Sequence, residues 1–519
     1  MGYVNRLAAK TYQPCLLIAP KHDQKGPTLG SHIYILILLK HSDPPVIAVL
    51  GSGGGLRAMI AYLGTLSKLA ELKLLDVVTY VCGTSGSTWC MSSLYNNEKW
   101  SDFSCLEDLE NQFYSRLQTT WDWDKSWEKL QKTFLEEVHS LTDFWAYVVV
   151  FWMTNEMHEG KLSNHKDGCE NGKNPYPIYS AIEKEEGAWF EFTPHMCGFP
   201  AYKCFVKTEL LGSKFEEGFL LKKQPEKDLC YLNGLWGSAL ASDHLISDLI
   251  QGYSCSCRGC KTIKQHLSHD LRGKTEEYKK KFWNDFAKDL EGIYANVTKM
   301  LKSIATHPLQ YLFGTSDAIC RTAKVVKNIV ICLAQWKWGT TNNFLYKLNG
   351  NIPLSGKKHI SLVDSGLDII TAFPLMLPPH RNIDLILSFD FSEGAPFQAL
   401  KKTAERFPFP KINIADNDEK IPSKSCYVFE GDGDRIPDVM YFPLFNNQTC
   451  EGKVNEMREK FATFHTSYDG SQVKELLEVS KNNVEENYHQ IQERIKQCVQ
   501  RCNQRRTKQE TLQEKSKNE

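Results

Sequence analysis

Two short apolar runs, each followed by a glycine-rich turn, stand out in the hydrophobic pattern of the first part of the chain. The β-branched run 46–50 predicts a buried strand, and apolar residues at helical spacing over 56–75 predict a helix. A second strand is expected over 77–82. A βαβ unit of this kind is right-handed and brings the ends of both strands to one edge of a parallel sheet. The turns 51–55 and 83–87 are therefore predicted to be neighbours.

The rest of the pattern divides the chain into one large domain, expected to be catalytic, and two flanking segments. Residues 1–44 show no clear period and are taken as an N-terminal extension, whereas 45–470 contain the predicted strands. Within that domain, 196–342 include a polar, helical insertion that could form a cap or lid, with plain decoration as the alternative. Residues 471–519 are predicted to be a basic C-terminal helix and tail.

Composition argues against several classes of protein. The chain has 519 residues, of which 42% are hydrophobic and 24% charged, as in ordinary globular proteins. Its 62 basic residues equal its 62 acidic residues, so no overall field favours nucleic acid. Seventeen cysteines are too sparse for a small disulfide scaffold, and no run reaches the length of a membrane span. We therefore expect a cytoplasmic protein without a transmembrane segment.

The second glycine turn predicts a nucleophile. A serine between two glycines, on the turn from a strand to a helix, is held in a strained conformation with its hydroxyl exposed. Only residues without a side chain can crowd beside it. Such a pattern also arises by chance, so its context must support it. The residues are Gly83-Thr84-Ser85-Gly86-Ser87.

The first glycine turn, 51–55, has three interpretations. It nearly fits a dinucleotide-binding pattern, but Leu56 stands where the last glycine belongs, and no lysine follows as in a P-loop. It could be glycine-rich only because the turn is tight. The favoured interpretation is an oxyanion hole, in which the N–H groups of Gly54 and Gly55 point at the oxygen that becomes negative during acyl transfer.

Asp364 is the candidate base. It ends the predicted strand 359–364, at the place where a strand would deliver a side chain to a cleft. The alternative is an aspartate that only caps its turn. The histidines that follow, His380, His465 and His489, lie in no recognisable catalytic motif. The spacing therefore suits a Ser-Asp dyad rather than a Ser-His-Asp triad.

A cluster of three cysteines is a candidate metal site. Cys255, Cys257 and Cys260 could hold zinc, yet a structural site needs four ligands, and His266 and His269 form no standard spacing with them. Free thiols are favoured, and no metal or other cofactor is expected.

Four motifs together resemble the group IV cytosolic phospholipases A2, within the patatin-like superfamily, and are most similar to the gamma-type members. The resemblance covers about residues 45–450. Its motifs are Gly51-Ser52-Gly53-Gly54-Gly55-Leu56-Arg57-Ala58, Gly83-Thr84-Ser85-Gly86-Ser87-Thr88-Trp89, Val363-Asp364-Ser365-Gly366 and Ser388-Phe389-Asp390-Phe391-Ser392. It implies a three-layer α/β/α domain with a mainly parallel central sheet and a helical cap.

The resemblance also implies roles for individual residues. Ser85 corresponds to the nucleophile and Asp364 to its base, with Gly54 and Gly55 at the oxyanion hole. Arg57 is expected to steady the substrate phosphate, and Arg381 matches a second arginine associated with the active site. The implied activity is calcium-independent hydrolysis of the sn-2 ester of glycerophospholipids through an acyl-serine, with lysophospholipase and acyltransferase activity as further possibilities.

The expected partners are phospholipid and lysophospholipid substrates at the surface of intracellular membranes. Only 44 residues precede the first strand, too few for a calcium-binding C2 domain. The tail from Arg494 to Glu519 has a net charge of +5 and could rest on anionic lipid, although a solvated helix end is the favoured alternative. Cys498 and Cys502 are hypothetical palmitoylation sites. Two alternatives remain: a hydrolase of neutral glycerides or thioesters, and a non-catalytic lipid-binding or scaffold protein.

Overall fold

The computed structural model describes residues 5–6, 44–238, 324–325, 328, 332 and 337–518, apart from 121, 349, 351, 464 and 466. The polar part of the predicted insertion and the cluster of Cys255, Cys257 and Cys260 lie outside the described residues.

Twelve of the described strands form one sheet, and two form a separate hairpin, β8–β9. The order in the sheet is β1-β7-β6-β5-β4-β3-β2-β12-β14-β13, and β11 pairs with both β4 and β10. The strands are β1 Asn5–Arg6, β2 Ile47–Gly51, β3 Tyr80–Gly83, β4 Tyr176–Glu183, β5 Trp189–Phe192, β6 Met196–Phe199, β7 Cys204–Lys207, β8 Lys214–Glu216, β9 Phe219–Lys222, β10 Thr340–Asn342, β11 His359–Asp364, β12 Leu385–Asp390, β13 Tyr427–Phe429 and β14 Asp438–Pro443.

The centre of the sheet is parallel and buried on both faces. Strands β4, β3, β2, β12 and β14 are neighbours and run in the same direction. Successive side chains of a strand point to opposite faces, and Ile47, Ala48, Val49 and Leu50 are all 0% exposed. Both faces are therefore covered, which confirms the predicted α/β class with a mainly parallel central sheet.

Helices cover the faces of the sheet. They are α1 Gly55–Glu71, α2 Gly86–Leu94, α3 Phe103–Leu117, α4 Trp123–Thr133, α5 Leu141–Phe144, α6 Phe151–Thr154, α7 Lys166–Cys169, α8 Leu229–Trp236, α9 Phe373–Met376, α10 Gln398–Arg406, α11 Val454–Lys460, α12 Gly470–Glu485 and α13 Tyr488–Asn518. The helix of the predicted βαβ unit, α1, packs against α2, α3 and α12. A π-helical turn, Trp145–Val150, joins α5 to α6.

Two elements differ from the simple pattern expected from sequence. Strand β11 runs antiparallel to β4, so Asp364 reaches the site from the direction opposite to Ser85. In addition, β6 and β7 extend the sheet, so the predicted insertion range begins within the sheet. Among the described residues, no helix combines the length and the apolar character needed to cross a bilayer.

The basic C-terminal helix α13 is docked on the amino ends of β12 and β14. Arg494 and Arg501 both bind the carboxylate of Asp438, the first residue of β14. Arg505 binds Asp384, which directly precedes β12. Three of the basic groups that could have met anionic lipid are thus bound to carboxylates of the same chain.

The cysteines of α13 are buried rather than exposed. Cys498 is 0% exposed and Cys502 is 7% exposed. Burial raises the pKa of the Cys498 thiol to about 12, which opposes formation of a nucleophilic thiolate. Burial of both thiols therefore argues against palmitoylation of these cysteines in the folded protein.

Candidate active site

The two glycine turns are in direct contact at the carboxyl ends of β2 and β3. These strands are parallel neighbours in which Gly51 lies opposite Gly83. A Cβ atom on Gly86 would come within 1.9 Å of the carbonyl oxygen of Gly55, and one on Gly53 within 3.1 Å of the Cβ of Ser85. The predicted neighbourhood of the two turns is confirmed, and glycine is required there because no side chain fits between them.

Ser85 occupies the strained turn that its motif predicts. Its backbone has φ 52° and ψ −126°, which is unusual for a residue with a side chain. It precedes the first residue of α2, and Thr88 N–H donates to its carbonyl oxygen at 2.9 Å. The neighbouring Gly86 leaves room for this geometry. The serine side chain therefore lies at the start of a helix, beside the first glycine turn.

Gly54 and Gly55 border the same cavity as Ser85, at the point where α1 begins. Gly55 is the first residue of α1, and the first N–H groups of a helix have no partner within the helix. Gly54 has φ 156° and Gly55 has φ 59°. Both glycines line one cavity of about 320 Å³ together with Ser85. The positive end of the helix dipole thus faces the cavity that contains the serine.

Asp364 is fully buried at the end of β11, with 0% exposure. Its Oδ1 accepts a hydrogen bond from the N–H of Gly366 at 2.7 Å, so the turn-capping role that the sequence left open is present. Its own N–H donates to the hydroxyl of Ser238 at 3.0 Å. Gly366 lines the same cavity as Ser85.

The register along β4 shows how the two turns meet. Strand β3 pairs with β4 up to Gly83, which lies opposite Tyr179. Strand β11 arrives from the other direction and pairs with β4 down to Asp364, which lies opposite Ala181. Their partners are two residues apart, or about 7 Å along the strand. Strands β3 and β11 therefore meet end to end beside β4, which brings the turns that carry Ser85 and Asp364 together.

Ser180, the residue of β4 between those two partners, joins the turns by hydrogen bonds. Its hydroxyl donates to the carbonyl of Gly83 at 2.9 Å and lies 3.1 Å from the hydroxyl of Thr84. It also lies 2.6 Å from the hydroxyl of Ser365. All three hydroxyls are fully buried. Sequence analysis missed Ser180, because nothing in its own stretch signals a role.

A second network holds the first glycine turn to β12. The carboxylate of Asp390 accepts from the hydroxyl of Ser52 at 3.1 Å and from the N–H of Ser392 at 2.8 Å, and it also accepts from the hydroxyl of Tyr441. The Ser52 hydroxyl oxygen accepts in turn from the N–H of Phe391 at 2.7 Å. The motif around Asp390 was recognised in the sequence, but this positioning role was not.

Arg57 is not among the described residues that line the cavity, and its role towards a substrate phosphate stays a prediction. It is 0% exposed, and its guanidinium donates to the carbonyl of Phe391 at 2.6 Å, to the carbonyl of Phe461, and to the hydroxyl of Thr463 at 2.8 Å. The planar fork of donors thus binds protein oxygens. Arg57 lies in the first turn of α1, and its partner Thr463 lines the cavity. The arginine therefore stabilises the first glycine turn through contacts outside the cavity.

Arg381 is buried and is not among the described residues that line the cavity, and its predicted place at the active site stays a prediction. Its guanidinium is paired with Glu191 and lies over the ring of Tyr80, 5.3 Å from the ring centroid. Tyr80 begins β3, whereas Ser85 follows the end of that strand. The nearby Glu191 raises the pKa of Arg381, although burial acts against this.

The cavity has an apolar side and a charged rim. Leu367 and Ile370 provide apolar surface, while Asp368, Glu393 and Lys402 provide charge. None of its described lining residues is a histidine. The described part of the chain also contains no cluster of three or more acidic, histidine or cysteine side chains suited to a metal ion. The arrangement offers a hydroxyl, a buried carboxylate and helix-start amides, which are the groups that acyl transfer requires.

Comparison with known proteins agrees with this chemistry. Residues 47–414 match the family described as the lysophospholipase catalytic domain. Cytosolic phospholipase A2 gamma from Homo sapiens is 38% identical over 512 residues, covering 90% of this chain and 93% of that protein. The gamma protein from Mus musculus is 36% identical over 522 residues, covering 86% of this chain and 85% of that protein.

A solved structure shares the fold. Human GIVD cytosolic phospholipase A2 aligns with a TM-score of 0.67 at 23% identity, over 91% of this chain and 66% of that one. With its central α/β sheet, its matched domain and these relatives, the chain belongs to the cytosolic phospholipase A2 family and carries the family's lysophospholipase catalytic domain.

Proposed function

We propose that this protein is a calcium-independent phospholipase A2 that cleaves the sn-2 ester of glycerophospholipids through an acyl-serine intermediate. The observation that carries the proposal is the shared cavity of Ser85, Gly54 and Gly55, beside the turn of Asp364. The names of its gamma relatives support the same activity. A cytoplasmic protein that acts at the surface of intracellular membranes fits this function.

In the first half-reaction, the Asp364 carboxylate accepts the proton of the Ser85 hydroxyl as its oxygen attacks the ester carbonyl. The carbonyl oxygen becomes negative and accepts hydrogen bonds from the N–H groups of Gly54 and Gly55. One such donor is typically worth about 3 to 4 kcal/mol of the barrier. Asp364 then returns the proton to the leaving oxygen, so that the lysophospholipid departs and the acyl-serine remains.

In the second half-reaction, Asp364 takes a proton from water as the water attacks the acyl-serine. Asp364 then gives this proton to the Ser85 oxygen as its bond to the acyl group breaks, so that the fatty acid is released and both Ser85 and Asp364 are restored. All proton transfers and charge stabilisation use groups of the chain, so the scheme requires no calcium ion. The same intermediate can pass its acyl group to a lysophospholipid, and a lysophospholipid can itself serve as the ester substrate.

The direct test is release of fatty acid from the sn-2 position of phosphatidylcholine vesicles with EGTA present. We expect activity from the unsubstituted protein and background levels from Ser85→Ala and Asp364→Asn. Ser92→Ala is the matched control, because Ser92 is buried on α2 and its hydroxyl bonds only to the carbonyl of Trp89 among the described contacts. A fluorophosphonate should label Ser85 and no other serine.

Each contrary result has a clear meaning. Full activity of the Asp364→Asn protein would exclude the dyad. Activity on triglyceride alone would instead favour a neutral-lipid hydrolase. Absence of both hydrolysis and fluorophosphonate labelling would indicate a lipid-binding protein that does not catalyse.

A further inference from the structure

The β8–β9 hairpin exposes two large apolar side chains next to each other. Phe219 is 54% exposed and Leu221 is 62% exposed, two of only five large hydrophobic residues exposed in the described part of the chain. Residues two apart on a strand share a face. The other face is anchored, because Leu220 lies opposite Phe215, which is 3% exposed. The hairpin therefore presents an exposed apolar face within the described part of the chain.

The hairpin lies beyond the edge of the sheet at which β2 and β3 end, which is the edge that carries the active site. The side chain of Asn342 on β10 donates to the carbonyl of Gly212, just before the hairpin, at 2.8 Å. Strand β10 pairs with the start of β11, and β11 then runs five residues, roughly 17 Å, to Asp364. Leu367, which lines the cavity, is itself 53% exposed. Exposed apolar groups thus occur both at the cavity and at the hairpin, at the same edge of the sheet.

Basic residues follow the apolar pair. The Lys222 side chain is 62% exposed, and Lys223 is exposed as well. The carboxylate of Glu137 lies 2.5 Å from the ammonium group of Lys214 and 3.8 Å from that of Lys222. Glu137 therefore pairs more closely with Lys214 than with Lys222. Apolar side chains beside lysines suit the boundary between lipid tails and phosphate headgroups, and the positive charge favours anionic lipid.

We propose that the β8–β9 hairpin docks the protein on a phospholipid membrane, with Phe219 and Leu221 inserted between lipids and Lys222 and Lys223 against their phosphates. The proposal rests on the proposed function, since it places the cavity that contains Ser85 next to its substrate surface. It differs from the expectation that the basic tail makes this contact, because three arginines of α13 are bound within the protein.

The test is co-sedimentation of the full chain with vesicles of ether-linked phosphatidylcholine and phosphatidylserine, which contain no ester for hydrolysis. Phe219→Ser combined with Leu221→Ser is expected to weaken binding at least about tenfold, from the loss of two inserted apolar groups. Leu512→Ser is the matched control, since Leu512 is 66% exposed but lies on α13. It should bind as the unsubstituted protein does. Lys222→Glu with Lys223→Glu should weaken binding more on these vesicles than on phosphatidylcholine alone.

The rate of fluorophosphonate labelling in solution separates docking from chemistry. We expect the hairpin variants to label at the unsubstituted rate, because they leave the cavity intact. Unchanged vesicle binding by the Phe219, Leu221 double variant would overturn the proposal, as would an equal loss in Leu512→Ser. Failure of the proposed function is a different outcome: the unsubstituted protein would bind vesicles through the hairpin but release no fatty acid from ester lipids.

Discussion

Gly86→Ala is the substitution that most directly tests the contact between the two glycine turns. The added Cβ would lie 1.9 Å from the carbonyl oxygen of Gly55, and a real Cβ contact is at least 3.0 Å. The turns must therefore separate by about 1.1 Å. Neither partner can yield locally, because the obstructing atoms belong to the backbone that begins α1.

The expected effect is on chemistry more than on folding. A misplacement of about 1 Å between a nucleophile and its catalytic partners can cost about 100-fold in rate, equivalent to about 2.7 kcal/mol of barrier. Overpacking itself should lower the free energy of unfolding by about 1 to 3 kcal/mol. The assays are the rate of fluorophosphonate labelling of Ser85, the rate of ester hydrolysis, and the melting temperature.

Gly64→Ala provides a matched control with a comparable clash away from the cavity. Its Cβ would meet the Ser480 hydroxyl at 2.3 Å and the Leu477 carbonyl at 2.8 Å, where α1 packs on α12. It should lower the melting temperature yet label at nearly the normal rate per folded molecule. If Gly86→Ala labels as fast as Gly64→Ala, the contact of the two turns does not set the catalytic geometry, and the reasoning is refuted.

Two further predictions concern buried polar groups. Ser180→Ala should slow labelling of Ser85 several-fold. Combining it with Ser365→Ala should add little, because both substitutions remove the same hydrogen bond between hydroxyls. Simple additivity of the two effects on the barrier would argue against this bridge. Burial lowers the pKa of His165 to about 3. Its imidazole therefore stays neutral in the folded protein, whereas in the unfolded chain it is protonated below about pH 6.5. Stability should therefore fall as the pH is lowered, by about 1.4 kcal/mol between about pH 7.5 and 5.5 from this group alone. Urea denaturation at both pH values should show this loss shrinking in His165→Gln, and an unchanged loss would contradict it.

The chain's local pattern was sufficient to predict the βαβ unit and the strained serine. Strand β2, helix α1 and strand β3 each follow from the spacing of apolar residues that are consecutive in sequence. The glycines beside Ser85 predict its strain, because the turn excludes side chains at short range. These features depend on neighbours along the chain, so the sequence contains the information needed to find them.

Only the tertiary structure decided which distant groups meet. The direction of β11 depends on its pairing with β4, about 180 residues away, and so does the bridge through Ser180. Arg57 binds oxygens more than 330 residues distant, while Arg381 is paired with Glu191, which is 190 residues away. The motifs containing these arginines were visible, but a long charged side chain takes its role from the groups around it in space. Those groups are positioned by the packed sheet and helices, and no local pattern encodes them.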